Sequence, residues 1–348
     1  MDWVRALDPA ASFSLALVGS VAVMPVAVAL GPRLGLSVPP RLFGRADRPV
    51  SYLGGAALAL TICSVIPAAV GLSRGSAALV VGALAALTLG IVDDRAAGDV
   101  APSVRLTVEG LVAAAVWVAG FRPEISGVPP VDLALTVFVL VASANAFNLL
   151  DNMDGVAGAT AAVTAGGIVG IALLAGQPKL AGLGAAACGA SLGFLRKNLR
   201  SRTVFLGNGG ALFLGFLLGG GALMLQLPLH RGWGLVAAVT VLAVPATDTL
   251  VVIVSRLVAH RALLEGGTDH VSHRLVRLGF TPRLAAAAHA CAAGASSAAV
   301  AGAMVTGLTP ILVAPLGLLA LAALVLLRIP AYEAMEPRDA PAPRAPAL

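Results

Sequence analysis

The sequence predicts an all-α, polytopic membrane helical bundle of about eleven transmembrane helices with a cytoplasm-facing active site, and three observations predict it. Apolar residues make up 58% of the 348 positions and charged residues only 11%, giving a mean hydropathy of +0.94. The apolar residues fall in continuous runs, most of them about as long as the 17–25 residues a helix needs to cross a bilayer. They are rich in Ala, Leu and Gly and do not alternate with polar residues as the strands of a membrane barrel would. Finally, 18 of the 23 Lys and Arg residues lie in alternate inter-run segments, as the positive-inside rule requires of cytoplasmic loops. The net charge of +6 is then mostly inner-face asymmetry and calls for no nucleic-acid partner.

In chain order the runs lie near 11–30, 53–72, 76–92, 106–120, 131–147, 155–175, 179–195, 209–227, 234–255, 284–306 and 309–327. The first follows MDWVRALDPAA, where Asp2 and Asp8 against Arg5 leave no positive n-region of a cleaved signal peptide. It is expected to remain as an anchor with the N-terminus outside. The segments near 31–52, 93–105, 148–154, 196–208 and 256–283, and the C-terminus, then face the cytoplasm. Residues 1–330 read as one integral membrane domain, and 331–348, rich in Pro, Ala and Arg, as a disordered cytoplasmic tail. Cys63, Cys188 and Cys291 are scattered singly through apolar spans, so packing is their simplest role.

Polar residues gather at the cytoplasmic ends of these spans in four clusters. In LGIVDDRAAGD, Asp93 and Asp94 follow directly on a span. Adjacent carboxylates repel and are tolerated in water or beside a cation; for this pair alone a solvated helix end is the simpler reading, and a divalent ion shared with phosphate the more informative one. Arg105 and Glu109 stand four apart, the spacing that lets them pair on one helix face.

In NAFNLLDNMDGVAGA, Asn145, Asn148, Asp151 and Asp154 recur every three residues. Each step of three drifts about 60° around an α-helix, so the four cannot share one face and the helix is expected to break or tighten near Asp151. Four polar residues at the end of an apolar span are costly unless they serve a site. Helix capping alone is too weak an explanation for so many.

In LRKNLRSRTVFLGNGG, the basic residues around Asn198 obey topology, which leaves Asn208 and its glycines unexplained. In GGTDHVSHRLVRLGFTPR, His270, His273 and Arg274 can grip a diphosphate through charge-assisted hydrogen bonds; a lone loop histidine is usually just solvated. Carboxylates, a basic loop and an apolar face together suit phosphoryl transfer between a soluble anion and a lipid phosphate.

These stretches, in this order, resemble the polyprenyl-phosphate N-acetylhexosamine-1-phosphate transferase superfamily. PVSYLGG at 49–55 is similar to that family's PVPRLGG, LGIVDDR to its Asp-Asp motif, NAFNLLDNMDG to its most specific signature, VFLGNGGALFLGF to GD-x-GS-x-x-LGF, and DHVSHRLVRLG to its His-rich loop; PATDTLVVIVSRL, with Asp248 and Arg256, fits its penultimate cytoplasm-facing helix. The resemblance implies a multi-pass enzyme of the bacterial inner (plasma) membrane. It would move a sugar 1-phosphate from a UDP-sugar to undecaprenyl or decaprenyl phosphate, release UMP and use Mg²⁺ or Mn²⁺. The other implied partners are membrane lipid and a second copy in a homodimer.

By the same resemblance, Asp93, Asp94, Asp151 and Asp154 are the expected catalytic residues. Asn145, Asn148, Arg105, Asn198, His270, His273 and Arg274 are expected to bind substrate, and Asn208 with Asp94 the metal. The loop lacks the HHHFE-like string of the muramoyl-pentapeptide translocases, which favours a plain UDP-N-acetylhexosamine donor over a phospho-N-acetylmuramoyl-pentapeptide transferase activity.

Three departures accompany the likeness. Asn208 stands where the family has a metal-binding Asp, Ser272 replaces one His, and RLFGRADRPVSY lacks the usual Arg-Lys and His residues. They support a second reading, a catalytically impaired member acting as a binding or scaffold protein. A transporter ranks last, because the polar clusters leave no charged path across the membrane.

Overall fold

The computed structural model describes residues 8–38, 49–70, 73–96, 100–228, 231–263 and 267–329. The tail expected at 331–348 and most of the atypical first loop, 39–48, lie outside the described residues. The helices are α1 (Pro9–Arg33), α2 (Gly54–Val70), α3 (Arg74–Arg95), α4 (Pro102–Val118), α5 (Pro129–Leu150), α6 (Val156–Leu174) and α7 (Pro178–Ser201). They continue with α8 (Gly207–Leu223), α9 (Arg231–Val241), α10 (Ala243–Val258), α11 (Val271–Arg277), α12 (Pro282–Thr306) and α13 (Pro310–Leu327). Many begin with Pro in the first turn, as in α1, α4, α5, α7, α12 and α13. Proline's missing N–H costs nothing there.

Over the described residues every apolar run is largely helical, as the expected all-α polytopic bundle of about eleven transmembrane helices requires. Seven described helices are long and apolar enough to cross a membrane, or eight if one bent pair counts as a span. The run at 234–255 is that pair, α9 and α10, which meet at 76°. The helices α2 and α8 are shorter apolar segments, and α4 has 17 residues with Arg105 and Glu109 among them. Several independent apolar spans make this a multi-pass membrane protein.

The centre of the bundle is α8, buried on almost every side, as a helix apolar all round must be. It packs on α3 and α5 and also on α2. Glycines permit the closest of these approaches: a Cβ on Gly210 would lie 2.3 Å from the Cα of Gly55 on α2. Backbone cannot yield there, so Gly210→Ala is expected to cost about 1–3 kcal/mol or more. A lower melting temperature in detergent is the check; an unchanged one would contradict this packing.

A small antiparallel pair, β1 (Ser37–Val38) with β2 (Val50–Ser51), fixes the start of α8. Ser51 donates its N–H to Thr203 O and accepts from Phe205 N, while Gly54 and Gly55 donate to Phe205 and Leu206. The PVSYLGG and VFLGNGG stretches are therefore two halves of one hydrogen-bonded unit.

Candidate active site

The first turn of α8 organises the site. A helix N-terminus has four backbone N–H groups without intrahelical partners and a partial positive charge, and here two carboxylates take three of those donors. Asn208 N and Gly209 N donate to Asp94, at 3.1 and 3.3 Å, and the Gly207 backbone bonds Asp151. Gly207 sits at φ +74, and a Cβ there would come within 2.8 Å of the Asp94 carboxylate. Both the conformation and the space demand glycine.

Asp151 caps α5. The chain turns between Leu150 and Val156, with Gly155 at φ +84, so the expected break occurs at Asp151, as a turn instead of a 3₁₀ segment. Burial first, then the negative charges of Asp94 and Asp154, push the Asp151 carboxyl well above the ordinary carboxylate range, against the Gly207 backbone bond.

Asp154 is buried; Asn198 Nδ2 lies 3.5 Å from it and Arg202 Nε 3.7 Å. Asn198, on α7, also accepts from Gly155 N at 2.8 Å and donates to Val204 O at 2.9 Å, so its amide holds the Asp154 turn against the approach to α8. Arg202 closes α7 at φ +50. Its pairing with Asp154 had only its basic charge as a signal in the sequence.

A second chain of contacts runs through α3, α4 and α5. Asp93 is buried and accepts from Arg105 Nη1 at 3.2 Å and from Asn208 Nδ2 at 2.9 Å. Asn208 in turn accepts from Asn148 Nδ2 at 2.8 Å. An ionised carboxylate only accepts, so the Asn208 amide nitrogen must face Asp93, leaving its oxygen to Asn148. In this structure the Asn208 side chain, expected at the metal, bridges Asp93 and Asn148. Arg105 Nε lies 3.8 Å from Glu109 Oε1, and Glu109 accepts from Asn145.

The α11 segment joins the same place through Asn152. Ser272 donates to Asn152 Oδ1 and His273 bonds the Asn152 backbone. His270 Nδ1 lies 2.8 Å from Asp248 Oδ2, whose other oxygen accepts from Val271 N at 2.8 Å. Burial and the neighbouring His270 lower the His273 pKa below its usual 6.5 despite Asp248 and the Asn152 backbone.

Arg274, expected on a diphosphate, is bonded within the protein in this structure. It is 1% exposed, and its guanidinium donates to Asp269 O, Leu326 O, Ile329 O and Ser255 Oγ. It anchors α11 to α10 and to the C-terminal end of α13, where a cation is favoured.

Asp269 completes that anchor with Arg256 at 3.3 Å, Arg261 at 3.4 Å and Ser255 at 3.0 Å. Burial raises its carboxyl, but the Ser255 and Arg256 hydrogen bonds and the Arg charges outweigh this and hold it below 3.8. A depressed folded value contributes stability that is present above 3.8 and lost as pH falls through the folded value. The melting-temperature gap between wild type and Asp269→Asn is therefore expected to hold steady from pH 7 to about 4 and to close below. A gap that persists unchanged into stronger acid would contradict the ion pair.

The residues fit a divalent cation in one way. Asp94 and Asp151 converge on one helix end and repel each other, a pair that Mg²⁺ with substrate oxygens would satisfy. Among the described residues no group of three or more His, Cys, Asp or Glu forms a closed cage. Next to this end, an apolar groove of about 730 Å³ runs between α4 and α5, from Pro130 and Leu133 to Leu106 and Asn145.

The model of glycosyl transferase family 4 matches residues 76–226. A Streptomyces coelicolor protein provisionally named a glycosyltransferase is 40% identical over 156 residues, covering 44% of this chain and 37% of its own. The decaprenyl-phosphate N-acetylglucosaminephosphotransferase of Mycolicibacterium smegmatis is 31% identical over 173 residues, 44% of this chain and 43% of that one. The undecaprenyl-phosphate alpha-N-acetylglucosaminyl 1-phosphate transferase of Escherichia coli K12 is 30% identical over 164 residues, 45% and 44%. The chain thus spans less than half the length of the relatives it matches. The matched segment, which is similar to glycosyl transferase family 4, holds Asp93, Asp94, the Asn145–Asp154 stretch, Asn198 and Asn208.

Proposed function

We propose that the protein transfers a sugar 1-phosphate, an N-acetylhexosamine 1-phosphate, from a UDP-sugar to a polyprenyl phosphate and releases UMP. The observation that carries this is the convergence of Asp94 and Asp151 on the first turn of α8 beside the mouth of the apolar α4–α5 groove. An isoprenoid chain suits that groove, and its phosphate then lies by Arg105, the chain neighbour of the groove-lining Leu106. A phosphate oxygen of the lipid attacks the β-phosphorus of the donor, the diphosphate P–O bond breaks, and UMP leaves.

Asp94 and Asp151 would hold Mg²⁺ or Mn²⁺, which neutralises charge on the transferring group when bound. Asp93 keeps Arg105 oriented through the 3.2 Å contact. Asn148, Asp154 and Asn198 form the wall on the other side of Asn208. Asp248 fixes the His270 ring, so that His270 and His273 face the diphosphate. Crowding of Lys and Arg toward this end supports a cytoplasmic face, in a bacterial plasma membrane with the N-terminus outside.

The test is UMP release by purified full-length protein with undecaprenyl phosphate, Mg²⁺ or Mn²⁺ and a panel of UDP-sugars, UDP-N-acetylglucosamine first. Release with one donor that stops on chelation supports the proposal. No release with any donor, while undecaprenyl phosphate still binds, would overturn it in favour of an impaired, lipid-binding member, the reading to which the Asn208 bridge lends weight.

A further inference from the structure

We infer that Glu109 is a positioning residue for the phosphate of the lipid acceptor, an assignment that rests on the transferase reading. Glu109 lies on α4 and is 1% exposed, among the most costly places for a carboxylate in an apolar bundle. Its pairing does not repay that cost. Oε2 accepts from Asn145 Nδ2, but Oε1 has no hydrogen-bond partner and lies 3.8 Å from Arg105 Nε. A buried ion pair with open bonds is a poor stabiliser, and a well-packed neutral side chain would serve the fold as well or better.

What Glu109 touches gives it a role. Asn145 lines the groove between α4 and α5, and Arg105 reaches past the groove's end to Asp93. Glu109 stands behind both, setting the Asn145 amide and holding the guanidinium by charge. Arg105 Nη1 is held by Asp93 and its Nε faces Glu109, while the side chain stays 19% exposed, so the guanidinium is fixed from two sides and still open to an incoming anion. The network reaches the carboxylates at α8 through Arg105, Asp93 and Asn208. Disturbing Glu109 is therefore felt by the lipid phosphate before the nucleotide.

Glu109→Gln preserves size and an acceptor for Asn145 but removes the charge facing Arg105. The expected result is a rise of about tenfold in KM for undecaprenyl phosphate, the equivalent of about 1.4 kcal/mol. KM for the UDP-sugar should stay within about twofold, and Glu109→Asp should recover part of the loss. Binding of undecaprenyl phosphate to the full chain, read by native mass spectrometry, should weaken in parallel, while binding of uncharged undecaprenol should not.

Equal effects on both substrates, equal loss of undecaprenol, or no loss at all would overturn the assignment, the first two marking Glu109 as merely structural. If the wild type releases no UMP but binds undecaprenyl phosphate, the transferase reading fails and the phosphate-against-alcohol comparison still judges Glu109. If the wild type binds no undecaprenyl phosphate, the Glu109 assignment fails as well.

Discussion

Asp94→Asn is expected to lower UMP release by about 100-fold or more while leaving the protein folded. The carboxylate accepts two N–H groups of the α8 first turn, at 3.1 and 3.3 Å, and a carboxamide keeps only one accepting oxygen. The lost bond and lost charge at a helix N-terminus cost about 1–2 kcal/mol of stability. Activity should fall much further, because removing one group that stabilises charge at the reacting centre typically costs about 100- to 1,000-fold. Parallel melting curves and UMP assays separate the two effects. An activity loss no larger than the unfolded fraction explains would show that Asp94 only caps α8.

Asn208→Asp is the second large effect, and it depends on the metal. Without divalent cations the substitution replaces the donor facing Asp93 at 2.9 Å by a third negative charge beside Asp93 and Asp94. Losing that hydrogen bond and adding like-charge repulsion is expected to destabilise the protein by about 1–3 kcal/mol. Mg²⁺ should restore most of it and raise turnover, because the new carboxylate completes a stronger oxygen site. Melting temperatures of wild type and variant with and without Mg²⁺ give the answer. An identical Mg²⁺ shift in both proteins would mean that position 208 does not face the metal.

The two substitutions separate two jobs that lie within one turn of α8. Asp94 is held by backbone donors and would need only rigid helix geometry to stay in place. Asn208 is held by the side chains of Asp93 and Asn148, so it couples α3 to α5 and reports on the balance of charge between them. Gly207 makes both possible by letting the Asp94 carboxylate approach the chain.

Much of this was legible in the sequence because membrane insertion writes itself locally. Continuous apolar runs must be helical, since unpaired backbone cannot face lipid, and over the described residues each run forms a helix or a bent pair of helices. Bends were less legible: one run hides a 76° bend between α9 and α10, and apolarity alone does not reveal where a helix turns. The break at Asp151 was legible because a three-residue repeat of polar side chains is incompatible with one helix face. The pairing of Arg105 with Glu109 followed from their spacing.

Other features depended on partners remote in sequence. Arg274 and His273 sit one residue apart and look alike as phosphate-binding groups, yet Arg274 is spent on the carbonyls of Leu326 and Ile329 while His273 stays with Asn152. At Asn208 the remote neighbours Asp93 and Asn148 set which way the side-chain nitrogen and oxygen face, which its place in the sequence did not show. Composition and periodicity, which are local, determined by themselves that this chain is a multi-pass helical protein with its polar clusters at helix ends. Only the tertiary structure decided which polar group each side chain spends its hydrogen bonds on, because buried donors and acceptors take partners by proximity in space.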